Sequence, residues 1–232
     1  MSDHPLDGRR TKTADGDMTP THVRLWIDPG CPWAWQGAMW LRRIAATGRI
    51  EIDWRLFSLE LNSSEPGTPF WDACQRQGES LVALALARRQ GGGAAFERLF
   101  LALGRRLHQQ GEQPSGELFR QAAIDAGMSG VIDQAVALPD LVDEVDREFV
   151  DARDEGVFGV PSLGIADNKV IYGPVLALAP EAGDAEQLWE HTLWLAERPD
   201  FFELKRWPRD TKPGEAGRRT GPAGASAVDM SK

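Results

Sequence analysis

Three features of the chain predict an α/β fold in which a small sheet is interrupted by a long helical stretch. Apolar–polar alternation marks strands near both ends of the folded body, helical periodicity without a convincing strand fills the middle, and the first strand runs straight into a helix. The order reads strand, helix, strand, a block of helices, strand, strand, helix. A first pair of parallel strands joined by a crossover helix matches the strong preference for right-handed βαβ units. Taken together, this order predicts a thioredoxin fold with a large all-helical insertion.

The elements follow in turn. His22 to Ile27 alternates around Val23, Leu25 and Ile27 and reads as a strand. Asp28-Pro29-Gly30 breaks it, and a helix with Trp33, Ala34, Met39, Trp40, Leu41 and Ile44 runs from Pro32 until Gly48 ends it. Proline suits a first helical turn because its missing N–H would be unpaired there. Ile50 to Leu59 reads as a second strand, with Ile50, Ile52, Trp54 and Leu56 on one face. Helices are expected over Phe70 to Gln90, Ala94 to Gln109 and Gly116 to Ala126, with one or two more over Val131 to Glu155. Glycine-rich turns at Gly91-Gly92-Gly93, Gly111 to Pro114 and Gly127 to Gly130 separate them. Short strands then return at Ser162 to Ile165 and Lys169 to Tyr172 around an Asp167-Asn168 turn, and an amphipathic helix covers Ala182 to Glu197 with Leu188, Trp189, Leu193 and Leu195.

This partition gives a thioredoxin-like domain over residues 22–68 and 156–207, a helical insertion over 69–155, and disordered tails over 1–21 and 208–232. With 42% hydrophobic and 26% charged residues, the 232-residue chain has apolar material for a sizeable core without staples. A net charge of −9 argues against a nucleic-acid partner, since such surfaces are basic. The absence of a long apolar run and of a secretory h-region points to a cytoplasmic protein with no membrane partner. There, two cysteines are not expected to form a structural disulfide.

Cys31 stands where strand becomes helix, in Asp28-Pro29-Gly30-Cys31-Pro32-Trp33-Ala34-Trp35. Unpaired N–H groups and the helix dipole favour a thiolate there, lowering the thiol pKa below ~8.5. A thiolate is a nucleophile toward disulfides and electrophiles. Cys74, amid Phe70, Trp71, Leu81 and Leu84, reads as a small core residue. Ordinary disulfide geometry would require its Cα within ~7 Å of that of Cys31. Gly159-Val160-Pro161-Ser162 precedes the third strand; most X–Pro bonds are trans, but in a thioredoxin fold this is where a cis-proline faces the cysteine. His108, in Arg105-Arg106-Leu107-His108-Gln109-Gln110-Gly111, has two readings. It is either part of a solvated basic helix end or a cleft residue that binds or protonates substrate. The arginine pairs at 42–43 and 88–89 and the acidic run Asp140 to Glu155 read as solvated faces. No histidine or cysteine pair has metal-ligand spacing.

These strings resemble the DsbA-like thioredoxin superfamily and, within it, the mycothiol-dependent nitroreductase family. The resemblance runs through Asp28 to Trp35, Arg106 to Gly111, Gly159-Val160-Pro161, Gly173-Pro174-Val175-Leu176 and Phe201-Phe202-Glu203-Leu204-Lys205-Arg206. It implies an oxidoreductase that uses mycothiol or a similar low-molecular-weight thiol as co-substrate, with no tightly bound cofactor. Cys31 matches the nucleophile and Pro161 the cis-proline. The family motif is Cys-Pro-Trp-Cys, and Ala34 replaces the second cysteine, so a disulfide within the motif cannot form. The expected activity is therefore a monothiol thiol-disulfide oxidoreductase, with Cys31 catalytic and Pro32, Trp33, Trp35, His108, Val160 and Pro161 holding the thiol. Trp33 and Trp35 would form an apolar wall, with Trp54 either joining it or, as tryptophan at strand spacing more often does, lying in the core. The alternatives are a thiol-dependent transferase or isomerase and a non-catalytic thiol-binding protein. The partners are a small-molecule thiol and a disulfide or electrophile, with a homodimer left open.

Overall fold

A computed structural model describes residues 19–62, 78–165, 169–206 and 212–214. Cys74, the start of the helix predicted from Phe70, the Asp167-Asn168 turn, the tail through residue 18 and most of the C-terminal tail lie outside the described residues.

The sheet has four strands: β1 (Thr21–Ile27), β2 (Ile50–Leu56), β3 (Ser162–Ile165) and β4 (Lys169–Tyr172), in the order β2-β1-β3-β4. Strand β1 pairs parallel with β2, Leu25 opposite Trp54, and antiparallel with β3, Leu25 opposite Leu163. Strands β3 and β4 form an antiparallel pair with Ser162 opposite Tyr172. A central strand hydrogen-bonded on both sides is shielded from water, and β1 is buried throughout Leu25–Ile27. This is the predicted thioredoxin arrangement.

Helix α1 (Pro32–Ala45) is the crossover between β1 and β2. It packs against the last helix, α7 (Ala182–Ala196), through the Trp40 and Trp189 rings, 6.2 Å apart. The Trp40 indole N–H donates to Ala185 O at 3.0 Å, which satisfies the one polar atom of a fully buried ring. Strand β2 ends at Leu56, three residues before the predicted Leu59, because Leu59–Asn62 turns into a short helix, α2.

Between β2 and β3 in sequence lie α3 (Gly78–Gly104), a π-helical turn (Arg105–Gln109), α4 (Gly116–Asp125), α5 (Val131–Val136) and α6 (Pro139–Asp154). Helix α3 is interrupted at Gly91 and Gly92, where the backbone leaves helical geometry and Gly92 reaches a positive φ of 65°. The predicted separation at these glycines is therefore present: α3 is two helical segments that meet across the non-helical Gly91-Gly92 step. The block joins the sheet in two ways. Trp54 of β2 packs on Phe96 and Phe100 of α3, with centroids 5.8 and 5.2 Å apart. At the outer edge of β2, Arg88 donates to Trp54 O at 3.3 Å and Glu148 accepts from Leu56 N at 2.9 Å. Arg88 also pairs with Glu144 and Glu148.

This corrects the reading of Arg88 and of part of the acidic run as solvated faces. The Glu148 side chain is only 12% exposed, because an edge strand's unpaired N–H and C=O groups need partners and these side chains supply them. Arg42 and Arg43 are likewise engaged, with Glu97 and with the carbonyls of Ala179 and Pro180. The predicted C-terminal tail is also not wholly detached, since Gly214 N donates to Ala177 O at 2.6 Å. No helix among the described residues is long and apolar enough to cross a membrane.

Candidate active site

Cys31 is the N-cap of α1, with extended backbone (φ −84°, ψ 111°), and Pro32 follows in the first turn. The cap position aims a side chain at the helix's unpaired N–H groups, and Ala34 N donates to Cys31 Sγ at 3.4 Å. On its other side the thiol donates to Val160 O at 3.7 Å. The sulfur therefore has a donor that favours the thiolate and a carbonyl that favours the thiol. Cys31 is 7% exposed, so a small part of it meets solvent.

The turn that delivers Cys31 is held by Asp28. Its main-chain carbonyl accepts from Cys31 N at 3.0 Å, and its Oδ1 accepts from Gly30 N at 2.8 Å. This is the two-residues-on bond that makes aspartate a turn former. Oδ2 accepts from Leu59 N at 2.9 Å, tying the turn to the chain after β2. Burial pushes the Asp28 carboxyl up from 3.8 to about 6, against the two backbone bonds that lower it, with a further upward push from Glu60. The sequence offered the Asp-Pro-Gly signature of a turn, but not the burial of its carboxylate.

His108 joins the same turn from the helical block. Its Nε2 lies 2.8 Å from Pro29 O, and a carbonyl only accepts, so this nitrogen carries the proton. Burial lowers the His108 pKa and the Pro29 bond partly restores it, so the neutral imidazole prevails at neutral pH. His108 reaches the turn because the backbone widens there: Gln110 N bonds Arg105 O at 2.9 Å, and Glu112 N bonds Arg106 O at 3.0 Å. Such π-helical turns recur at functional sites. His108 is thus bonded into the turn rather than lying on a solvated helix end.

Beneath it, Trp35 packs on His108 and Phe100, with centroids 5.9 and 5.7 Å apart. Gly104 permits this packing, because a Cβ there would sit 2.1 Å from Trp35 Cζ3. A glycine inside a helix costs about 1 kcal/mol relative to alanine, and that unexplained glycine was the available signal.

The Val160–Pro161 bond is cis, as is Gly173–Pro174. The Pro161 ring lies on α1 at Gly37, where a Cβ would stand 3.1 Å from Pro161 Cγ. Pro161 O accepts from Gly173 N at 2.8 Å, and Ser162 Oγ donates to Gly159 O at 2.7 Å. The structure therefore gathers Cys31, Val160 and Pro161 directly and His108 through Pro29. Trp33 is half-buried beside Pro32. Trp35 and Trp54 are only 2% and 3% exposed and belong to the core, so they back the site instead of walling it. Ala34, where a resolving cysteine would stand, is fully buried. Among the described residues no cluster of three metal-ligating side chains occurs.

Residues 30–206 match a family model described as Rv2466c-like, mycothiol-dependent nitroreductase Rv2466c. The Mycobacterium tuberculosis protein Rv2286c is 31% identical over 189 residues, spanning 80% of this chain and 82% of that protein. Among solved structures, a probable DsbA oxidoreductase, SCO1869 of Streptomyces coelicolor, superimposes with a TM-score of 0.53 at 20% identity, covering 82% of this chain and 97% of that one. The cytosolic disulfide reductase DsbM of Pseudomonas aeruginosa with GSH gives 0.52 at 13% identity, covering 75% and 100%. At these identities the two structures speak for the fold.

Proposed function

The chain belongs to the Rv2466c-like mycothiol-dependent nitroreductase family, and from that premise we propose that it is a cytoplasmic monothiol oxidoreductase acting through Cys31 with mycothiol or a similar thiol. One observation carries the monothiol part: Ala34 offers Cys31 Sγ a backbone N–H at 3.4 Å and a buried methyl where the family motif has a second sulfur.

The Cys31 thiolate attacks one sulfur of a disulfide, the S–S bond breaks, and the departing thiolate takes a proton from solvent. Cys31 is left in a mixed disulfide. A second external thiolate attacks the small-molecule sulfur of that bond and releases the Cys31 thiolate. One such cycle exchanges one disulfide for another. A second cycle, on the mixed disulfide so formed, completes the reduction, so that two external thiols supply the two electrons and end as a disulfide while both substrate sulfurs leave as thiols. Ala34 N–H and the α1 dipole stabilise the thiolate at the start and as it leaves. Val160 O, which holds the thiol in the resting protein, and the adjoining Pro161 loop receive the incoming thiol, with Val160 O accepting from an amide N–H of its cysteinyl part. His108, neutral and with its Nε2 proton committed to Pro29 O, fixes the turn. Its Nδ1 is left to accept the proton of the attacking thiol. Pro32 and Trp33 supply the apolar contact.

Intact-mass analysis after exposure to mycothiol disulfide tests this reading. One mycothiol adduct, mapped to Cys31 and released by added thiol with net disulfide reduction, is expected. Thioether products would point instead to a transferase, and an adduct without turnover to a thiol-binding protein. The missing second sulfur of the motif is what brings those two readings into play.

A further inference from the structure

We propose that the exposed aromatic pair Phe158–Tyr172 is the platform for the sugar end of the thiol co-substrate, an inference that rests on the mycothiol reading of Cys31. Phe158 is 60% exposed and Tyr172 43% exposed, yet their rings meet at 5.0 Å between centroids with 34° between planes. Contiguous exposed apolar surface marks interaction sites, and these two rings in contact form such a patch on the loop that leads to Val160.

Their position ties them to the nucleophile. Phe158 stands two residues before Val160, whose carbonyl faces Cys31 Sγ at 3.7 Å; two residues of chain reach at most about 7 Å. Tyr172 is brought to the same loop by its register opposite Ser162. Gly159 lets the tyrosine ring lie on the backbone, since a Cβ there would be 3.2 Å from Tyr172 Cε2. The loop is braced on both sides: Asn62 Nδ2 donates to Phe158 O at 3.3 Å, and Gly173 N bonds Pro161 O at 2.8 Å. The platform is therefore fixed to the segment that meets the sulfur.

Mycothiol has an N-acetylcysteinyl arm joined through an amide to an uncharged glucosamine–inositol unit. With the cysteinyl sulfur at Cys31, that arm carries the sugars out along the segment that bears these rings. A pyranose face of C–H bonds packs on an aromatic ring while its hydroxyls stay in water, and neither Phe158 nor Tyr172 brings a charge that an uncharged sugar would have to desolvate.

The test compares the rate at which full-length protein forms a mixed disulfide, read by intact mass, from mycothiol disulfide and from the disulfide of N-acetylcysteine, which lacks the sugars. The wild type is expected to prefer mycothiol disulfide by about tenfold, the size of a single aromatic packing contact. Phe158→Ala should bring the ratio close to one, and Phe158→Tyr should retain it. A wild-type ratio near one, or a preference that survives Phe158→Ala, overturns the platform and leaves the rings to another occupant such as a flat electrophile. If neither disulfide modifies Cys31, the mycothiol reading itself falls and the platform with it.

Discussion

Replacing Asp28 by asparagine should make the protein's pH-stability profile report on one carboxylate. In the native state Asp28 titrates at about 6, whereas an ordinary aspartate titrates at 3.8. A shift of about 2 pH units corresponds to about 3 kcal/mol. The sign follows from proton binding. Between these two pH values the folded state holds a proton that the unfolded state has released, so stability falls as the pH rises. This group's favourable contribution is therefore complete below pH 3.8 and lost above about pH 6. The asparagine side chain does not titrate. Its single carbonyl can serve only one of the N–H groups of Gly30 and Leu59, at a pH-independent cost of about 1–3 kcal/mol. Urea unfolding of both proteins at several values from about pH 4 to 7 should thus show the wild type losing about 3 kcal/mol against Asp28→Asn across the range. A flat difference, or a wild type that gains on the variant as the pH rises, would refute the assignment of a buried, raised carboxyl to this turn.

Other outcomes follow from the packing around the site. Gly104→Ala gains about 1 kcal/mol of helix propensity, but its Cβ collides with Trp35. Overpacking costs about 1–3 kcal/mol, so a lower Tm and altered tryptophan fluorescence are expected; unchanged values would contradict the contact. Arg88→Met removes the partner of a mostly buried Glu148 and uncovers the β2 edge, which should cost about 3 kcal/mol in urea unfolding; a loss below about 1 kcal/mol would show that the edge does not depend on the pair. Ala34→Cys restores an i,i+3 pair at the helix start, close enough for sulfurs to bond. Non-reducing peptide mapping should find the 31–34 disulfide under mild oxidant, where the wild type instead accumulates mixed disulfide or sulfenic acid on Cys31. Failure of the two sulfurs to bond would mean that the site has lost more than one atom.

The fold was legible because its signals are local. Val23, Leu25 and Ile27 alternate, Pro32 and Trp33 open a helix, and glycines punctuate the helical block. What the sequence does not display depends on contacts far apart along the chain. The chain order Arg88…Glu148 says nothing of a sheet edge 34 residues from one of them, where Trp54 O awaits a donor. Trp35 and Trp54 look alike to Trp33 in composition, and only the approach of α3, made possible at Gly104, assigns the first two to the core. The solvated reading of His108 failed for a similar reason, since the π-helical widening that carries it to Pro29 has no periodic signature. Asp28 was readable as a turn residue, but its bond to Leu59 N required β2 to be in place.

In the proposed mechanism Cys31 works without a protein thiol partner. Steady-state disulfide reduction with mycothiol, measured for wild type, Cys31→Ser and Cys74→Ser, addresses it most directly. Turnover should vanish in Cys31→Ser and persist in Cys74→Ser, with the mixed disulfide still on Cys31. Loss of turnover in Cys74→Ser, together with a Cys31–Cys74 disulfide in the oxidised wild type, would make Cys74 the resolving residue and contradict the monothiol mechanism.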